Sequence, residues 1–307
     1  MRILLAGTPE VAVPALSALL ASKHEVVGVL TRADAPSGRG RKVVPSPVRV
    51  AAEAAGLPVI TAKPSDPDFA ARIKALDAEV AAVVAYGHIL KPVILALLPH
   101  GWLNLHFSIL PRWRGAAPVQ HAIINGDTST GASVFLLDAG MDTGPVYATL
   151  AEPIRPDDTT GALLNRLAAL GSDLLVSVLD GINDGLLTAK PQVGEPTLAP
   201  KLTTDAARVD WRQPADVIDR LIRGCTPAPG AWTTLRDGTR LGLQPVVIRP
   251  DVTELAVGEL RVGKREVLVG TGTCAVALGQ VRPVGKQLMA AADWARGARL
   301  PEGARFQ

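Results

Sequence analysis

Arg2-Ile3-Leu4-Leu5-Ala6-Gly7-Thr8-Pro9-Glu10, followed by Val26-Val27-Gly28-Val29-Leu30, is the stretch that decides the fold class. Ile3 to Ala6 is an apolar run of strand length ending at Gly7-Thr8-Pro9, and Val26 to Leu30 is a second such run. Between them Val11, Pro14, Ala15, Leu16, Leu19 and Leu20 supply the apolar side of a helix, with Thr8 expected as its N-cap and Pro9 at its first position. Strand, helix, strand is the unit of a parallel sheet with a right-handed crossover. The turn Gly7-Thr8-Pro9-Glu10 lacks the second and third glycines of a dinucleotide fingerprint, so no NAD site is expected.

Working outward, a helix is expected from Val48 to Ala55, a short strand at Pro58-Val59-Ile60 and a helix from Asp68 to Leu76. Val80 to Tyr86 is continuous and β-branched, the pattern of a strand buried on both faces. Leu103 to Phe107 is another strand, stopped by Pro111 and Gly115, and Ala132 to Leu137 a further one. A helix covers Pro118 to Asn125, and a longer one Thr159 to Leu179, capped by Thr159 or Thr160. The expected class is α/β, a doubly wound, mostly parallel Rossmann-like sheet.

From Thr188 to Thr204 the chain turns rich in Pro, Gly, Thr and Lys and reads as a linker. Beyond it come a helix at about Pro214 to Gly224 and short strands at Thr233–Leu235, Arg240–Leu243, Glu259–Val262, Glu266–Val269 and Cys274–Leu278. Close spacing and Gly-rich turns favour a smaller OB-like β-barrel. The expected organisation is a catalytic domain over 1–188, a linker over 189–206 and a barrel over 207–307.

The 307 residues are enough for two domains of ordinary size. A hydrophobic fraction of 48% with 20% charged residues fits a soluble chain, and no apolar run approaches the roughly 20 residues of a membrane span. The N-terminal run is too short for an export signal, so a cytoplasmic protein without membrane contact is expected. Cys225 and Cys274 lie far apart, outside any Cys-x-x-Cys spacing, and the five histidines form no ligand pair, so neither disulfide nor metal is expected. Residues 207–307 hold 15 Lys and Arg against 10 Asp and Glu, hence +5, leaving 17 against 19, hence −2, for the rest. A basic C-terminal third is a weakly attractive surface for a polyanion.

Ligands of an open parallel sheet collect beyond the carboxyl ends of its strands. Tyr86-Gly87-His88 occupies that edge, and Asn104 and His106, two apart on the next strand, share a face. An amide and an imidazole on an apolar strand require partners or a purpose, because burying them unpaired is costly. Asp142 falls in the glycine-bracketed loop Asp138-Ala139-Gly140-Met141-Asp142-Thr143-Gly144, after a strand. Arg39, Arg41 and Lys42 lie in a long Gly- and Pro-rich segment whose composition suits contact with phosphates.

At Asn104-Leu105-His106, Ser108-Ile109-Leu110-Pro111 and Asp142 the sequence resembles the folate-dependent formyltransferase superfamily. Within it, Ala6-Gly7-Thr8-Pro9, Gly38-Arg39-Gly40, Pro45-Ser46-Pro47-Val48, Val84-Ala85-Tyr86-Gly87, Leu110 to Gln120 and Val209-Asp210-Trp211 are similar, in order, to the methionyl-tRNA formyltransferase family. One departure is Phe107, where that family usually has Gly, which bears on the local backbone angle. The resemblance implies transfer of a formyl group from 10-formyltetrahydrofolate to the α-amine of methionyl initiator tRNA; a monomer is expected, though no residue pattern speaks to oligomeric state. It implies Asn104, His106 and Asp142 as the catalytic residues, with Asp142 orienting the imidazole. It also implies folate contacts at Ser108, Ile109, Leu110 and Pro111 and at Tyr86, Gly87 and His88, and tRNA contacts at Arg39, Arg41 and Lys42. Rival readings are a formyltransferase acting on a sugar amine or glycinamide nucleotide, a hydrolase releasing formate from the folate, and a noncatalytic RNA-binding module.

Overall fold

Nine short runs rich in Val, Leu, Ala and Ile become strands in the first half of the chain. They are β1 (Arg2–Gly7), β2 (Glu25–Leu30), β3 (Ala35–Ser37), β4 (Lys42–Val44), β5 (Val59–Ile60), β6 (Val80–Val84), β7 (Trp102–His106), β8 (Ser129–Leu136) and β9 (Val146–Pro153). The structure is a computed structural model describing residues 1–37, 42–301 and 303–307. Seven of these strands form one sheet in the order β5-β2-β1-β6-β7-β8-β9. The pairs from β5 to β7 are parallel, whereas β8 runs antiparallel to β7 and β9 antiparallel to β8. β3 and β4 form a separate antiparallel hairpin.

β1 and β6 lie at the centre of the sheet, and Ile3 to Ala6 and Val80 to Ala82 are wholly buried. Continuous apolar runs are therefore what these positions demand. β9, in contrast, is a half-exposed edge strand, and its mixed sequence Val146-Tyr147-Ala148-Thr149-Leu150-Ala151 gives no strong strand pattern. Its approach to β8 depends on Gly131, where a Cβ would lie 1.9 Å from the Leu150 carbonyl oxygen.

The first helix departs from expectation. Pro9 is extended (φ −79°, ψ 172°) and itself takes the N-cap position of a 3-10 turn at Glu10–Ala12, with the α-helix following at Val13–Leu20. Thr8 is thereby left outside the helix, and its hydroxyl donates to the Tyr86 carbonyl at 2.9 Å, tying the end of β1 to the end of β6. At the long helix Thr160–Asn183, Thr159 does act as cap, its Oγ1 accepting from Ala162 N at 3.3 Å. By length and mean hydropathy this helix could cross a bilayer, although Asn165, Arg166, Asp173 and Asp180 interrupt its apolar residues. Leu163, Leu167, Ala168, Leu175, Val178 and Leu179 are instead buried within the protein.

The chain divides into two compact units, one of residues 1–118, 129–153 and 164–198 and one of residues 119–128, 154–163 and 199–307. In the second, the helix Ala215–Gly224 accompanies two four-stranded antiparallel sheets. One has the order Trp232–Thr234, Arg240–Leu243, Gln280–Pro283, Met289–Ala290, and the other Val246–Arg249, Ala275–Leu278, Val267–Val269, Leu260–Val262. Their core includes Val209, Trp211, Ile218, Ile222, Leu241 and Val276. Trp211 stacks on Phe306 at 5.3 Å between ring centroids, and its indole N–H donates to Thr233 Oγ1 at 2.9 Å. A core Trp with its polar edge satisfied is stable packing. The strands Val246–Arg249 and Gln280–Pro283 and the helix Ala291–Ala298 are additions to the expected set.

Candidate active site

β7 carries Asn104 and His106 on one face, between β6 and β8 in the sheet. Asn104 is half-buried, and its carboxamide forms no hydrogen bond among the described residues. His106 is 6% exposed, and its Nε2 lies 2.9 Å from the Trp113 carbonyl oxygen. A carbonyl can only accept, so Nε2 carries the proton, and in the neutral ring Nδ1 presents a lone pair. Nδ1 lies 3.8 Å from Asp142 Oδ2. That distance is too long for a hydrogen bond but short enough for strong charge interaction.

Burial pushes the His106 pKa below its ordinary 6.5, against the upward pull of Asp142 and of the Trp113 carbonyl. The imidazole is therefore neutral at neutral pH. Here the geometry differs from the expected division of labour, in which Asp142 orients the ring. The Trp113 carbonyl holds the ring, while the carboxylate faces Nδ1 without bonding to it.

Asp142 is fixed from its own side by the loop. Its Oδ2 accepts from Gly115 N at 2.7 Å, and Asp138 Oδ1 accepts from Gly140 N at 3.0 Å and Thr143 Oγ1 at 2.6 Å. Gly144 then passes so close to β8 that a Cβ would lie 1.8 Å from the Leu136 carbonyl oxygen. Trp113 (φ 58°), Asp142 (φ 53°) and Ala85 (φ 49°) all adopt the left-handed conformation. Each costs on the order of 1 to 3 kcal/mol in a non-glycine residue, a strain that gathers at functional sites. Phe107 is not among them: its ring is buried and its backbone does not require Gly.

The segment Ser108–Pro111 is a wall already satisfied from within. Buried Ser133 on β8 donates to the Ser108 carbonyl at 2.7 Å and accepts from Leu110 N at 3.1 Å. Ser108 Oγ donates to the Arg112 carbonyl at 2.6 Å, and Ile109 O and Pro111 O accept from Arg112 N and Thr197 N. Few backbone groups here remain for a ligand, so the segment offers shape more than donors.

Of the Tyr86-Gly87-His88 trio, Tyr86 is 2% exposed, in a core cluster with Leu4, Phe69 and Trp102. Its hydroxyl is buried without a partner among the described residues, and burial pushes the phenol pKa up. What reaches the sheet edge is the exposed backbone of Ala85 and Gly87, with His88 half-buried beside them. Arg39 and Arg41 lie outside the described residues, and Lys42 is described only as the backbone residue opening β4.

Sequence reasoning missed several contributors. Trp113 and Gly115 act through backbone groups, which side-chain identity does not reveal. Gln192 Nε2 donates to the carbonyls of Asp142 and Gly144, both at 2.8 Å, and Thr197 Oγ1 accepts from Trp113 N at 2.8 Å. Both fall in the stretch whose composition reads as a linker. Ser133, a hydroxyl inside the apolar run Ala132-Ser133-Val134-Phe135, did carry a signal, since a buried hydroxyl needs a partner.

Residues 1–179 match the family model described as formyl transferase, and residues 201–299 match that of its C-terminal domain. The chain belongs to the formyl transferase family. The methionyl-tRNA formyltransferase of Streptomyces coelicolor is 58% identical over 308 residues, covering 99% of each chain. That of Streptomyces avermitilis is 56% identical over 306 residues, covering 99% of this chain and 98% of the relative. Among solved structures, methionyl-tRNA formyltransferase from Clostridium thermocellum superposes with a TM-score of 0.57 at 16% identity, covering 81% of this chain and 94% of that one. HypX from Aquifex aeolicus in complex with tetrahydrofolic acid gives 0.67 at 16% identity over 96% of this formyl transferase, which spans 46% of HypX. At such identities these two structures carry the fold alone.

Proposed function

We propose that this formyl transferase moves the formyl group of 10-formyltetrahydrofolate onto the α-amine of methionyl initiator tRNA, in the cytoplasm, with Asn104, His106 and Asp142 at the reacting carbon. The observation that carries the chemistry is the neutral His106 ring, its Nε2 committed to the Trp113 carbonyl and its Nδ1 lone pair facing the Asp142 carboxylate. The neutral amine attacks the formyl carbon, and a tetrahedral oxyanion develops. The Asn104 amide, unengaged within the described residues, donates to that oxyanion, a contact worth about 10²–10³ in rate. Nδ1 accepts the proton that the amine sheds and returns it to the folate nitrogen as its bond to the formyl carbon breaks. While the proton rests on the ring, Asp142 stabilises the imidazolium through space.

Ser108 to Pro111 and the edge at Gly87 and His88 bound the folate, by shape on the first side and by exposed backbone on the second. For the tRNA, the second unit supports a basic face. On the sheet holding Trp232–Thr234, Arg240–Leu243 and Gln280–Pro283, residues Thr233, Leu241 and Val281 are buried, so Trp232, Arg240 and Arg282 share the opposite face. Arg240 lies 3.9 Å and Arg208 5.6 Å from the Trp232 ring centroid, and among the described residues neither has an acidic partner. Unpaired guanidinium groups on an aromatic platform suit an RNA backbone.

The test is formyl transfer from the folate donor with charged and with uncharged initiator tRNA. Formylmethionine should form only with charged tRNA. Rapid formate release without any tRNA would identify a hydrolase instead.

A further inference from the structure

We propose that Gln192 is a positioning residue that sets where Asp142 presents its carboxylate, an inference that rests on the role given to Asp142 above. Every polar position of the Gln192 amide is used. Its two donors reach the carbonyls of Asp142 and Gly144 at 2.8 Å each, and its oxygen accepts from Arg114 Nε at 3.1 Å and Nη2 at 2.7 Å. Arg114 sits between Trp113, whose carbonyl holds His106, and Gly115, whose N–H holds the Asp142 carboxylate. One side chain thus joins the turn that carries both anchors to the loop that carries Asp142.

Gln192 is itself held in place. Val146 and Lys190 exchange two backbone hydrogen bonds at 2.7 and 2.8 Å. Further on, Arg114 N donates to Thr197 O at 2.9 Å, and Trp113 N donates to Thr197 Oγ1. Residues 190–198 therefore form a strap across the two catalytic loops, and Gln192 is its side-chain contact with the Asp142 backbone. Asp142 is held in the left-handed conformation at φ 53°, and its carbonyl accepts from Gln192 Nε2. Without Gln192 the strained conformation loses that support, and the 3.8 Å separation between carboxylate and Nδ1 has less to fix it. A displacement on the order of 1 Å at a reacting group costs about 10² in rate.

The experiment compares Gln192→Ala and Gln192→Glu in the otherwise unchanged enzyme and in the Asp142→Asn background, using formylation of charged initiator tRNA. Glu keeps the shape but opposes a carboxylate oxygen to two carbonyls, so it does not rescue. Each Gln192 substitution should lower kcat by up to about 30-fold, the loss expected for removing the Asp142 charge itself, while KM for both substrates stays within about threefold. Gln192→Ala, which adds no charge, should also move the acidic limb of the pH profile to lower pH, and neither variant should reduce turnover further once Asp142 is Asn. Should Gln192→Ala fail to fold, Gln192→Glu carries the test. A slow Asp142→Asn enzyme beside Gln192 variants of normal turnover would overturn this proposal alone, as would losses that simply multiply. Normal turnover in Asp142→Asn would overturn the role of Asp142, and this proposal with it.

Discussion

Asp142→Asn isolates charge from shape. The new side chain can still accept from Gly115 N, as the carboxylate does at 2.7 Å, so the loop keeps its anchor. What disappears is the attraction between a carboxylate and an imidazolium 3.8 Å apart, both largely buried. At an effective dielectric of about 20 that attraction is about 4 kcal/mol. With about half the proton transferred in the transition state, about 2 kcal/mol is lost, or about 30-fold in kcat. The sign of the pH effect follows from the same pair. Burial already lowers the His106 pKa and Asp142 opposes that shift, so removing the charge lowers it further. A neutral base is required, so the rate rises with pH through the His106 pKa, and the acidic limb should move to lower pH in the variant. Single-turnover formylation across a pH series reads both effects. Turnover within about threefold of the unchanged enzyme, with an unmoved limb, would refute the reasoning.

Asn104→Ala should lower kcat by about 10²–10³ with little change in melting temperature, because the amide supports no other residue described; steady-state rates and a thermal melt check this. Ser133→Ala removes a buried hydroxyl that bonds both the Ser108 carbonyl and Leu110 N, and should cost about 1–3 kcal/mol in denaturant unfolding and raise KM for the folate. Binding of initiator tRNA should weaken steeply with salt, and Arg208→Ala and Arg240→Ala should each reduce the slope of log affinity against log salt by about 1; fluorescence titration at several salt concentrations measures this.

The centre of the sheet was legible because its chemistry is uniform. Ile3 to Ala6 and Val80 to Val84 are apolar throughout, since both faces are covered. β9 was not legible, because a half-exposed edge strand mixes polar and apolar residues without a clean period, whereas Val246-Val247-Ile248 is a short β-branched run, bracketed by Pro245 and Pro250, that sequence reading passed over. Strand parity sufficed to put Asn104 and His106 on one face, and glycine bracketing sufficed to place Asp142 in a loop after a strand. The means by which they are held was hidden. The imidazole is oriented by a main-chain carbonyl, and Gln192 reaches carbonyls 50 and 48 residues earlier in the chain. Hydrogen bonds to backbone leave no trace in residue spacing. A Pro- and Gly-rich stretch reads as a linker even where it straps two loops together. The left-handed backbone at Trp113 is likewise not suggested by residue type, unlike that at Asp142, since Asp adopts this region more readily than a bulky aromatic does.

The most direct measurement of the central claim is a crystal structure with a non-transferable analogue of 10-formyltetrahydrofolate bound. The formyl oxygen should lie about 2.7–3.1 Å from Asn104 Nδ2, with His106 Nδ1 within hydrogen-bond reach of the nitrogen that leaves. A formyl group seated away from both side chains would contradict the account.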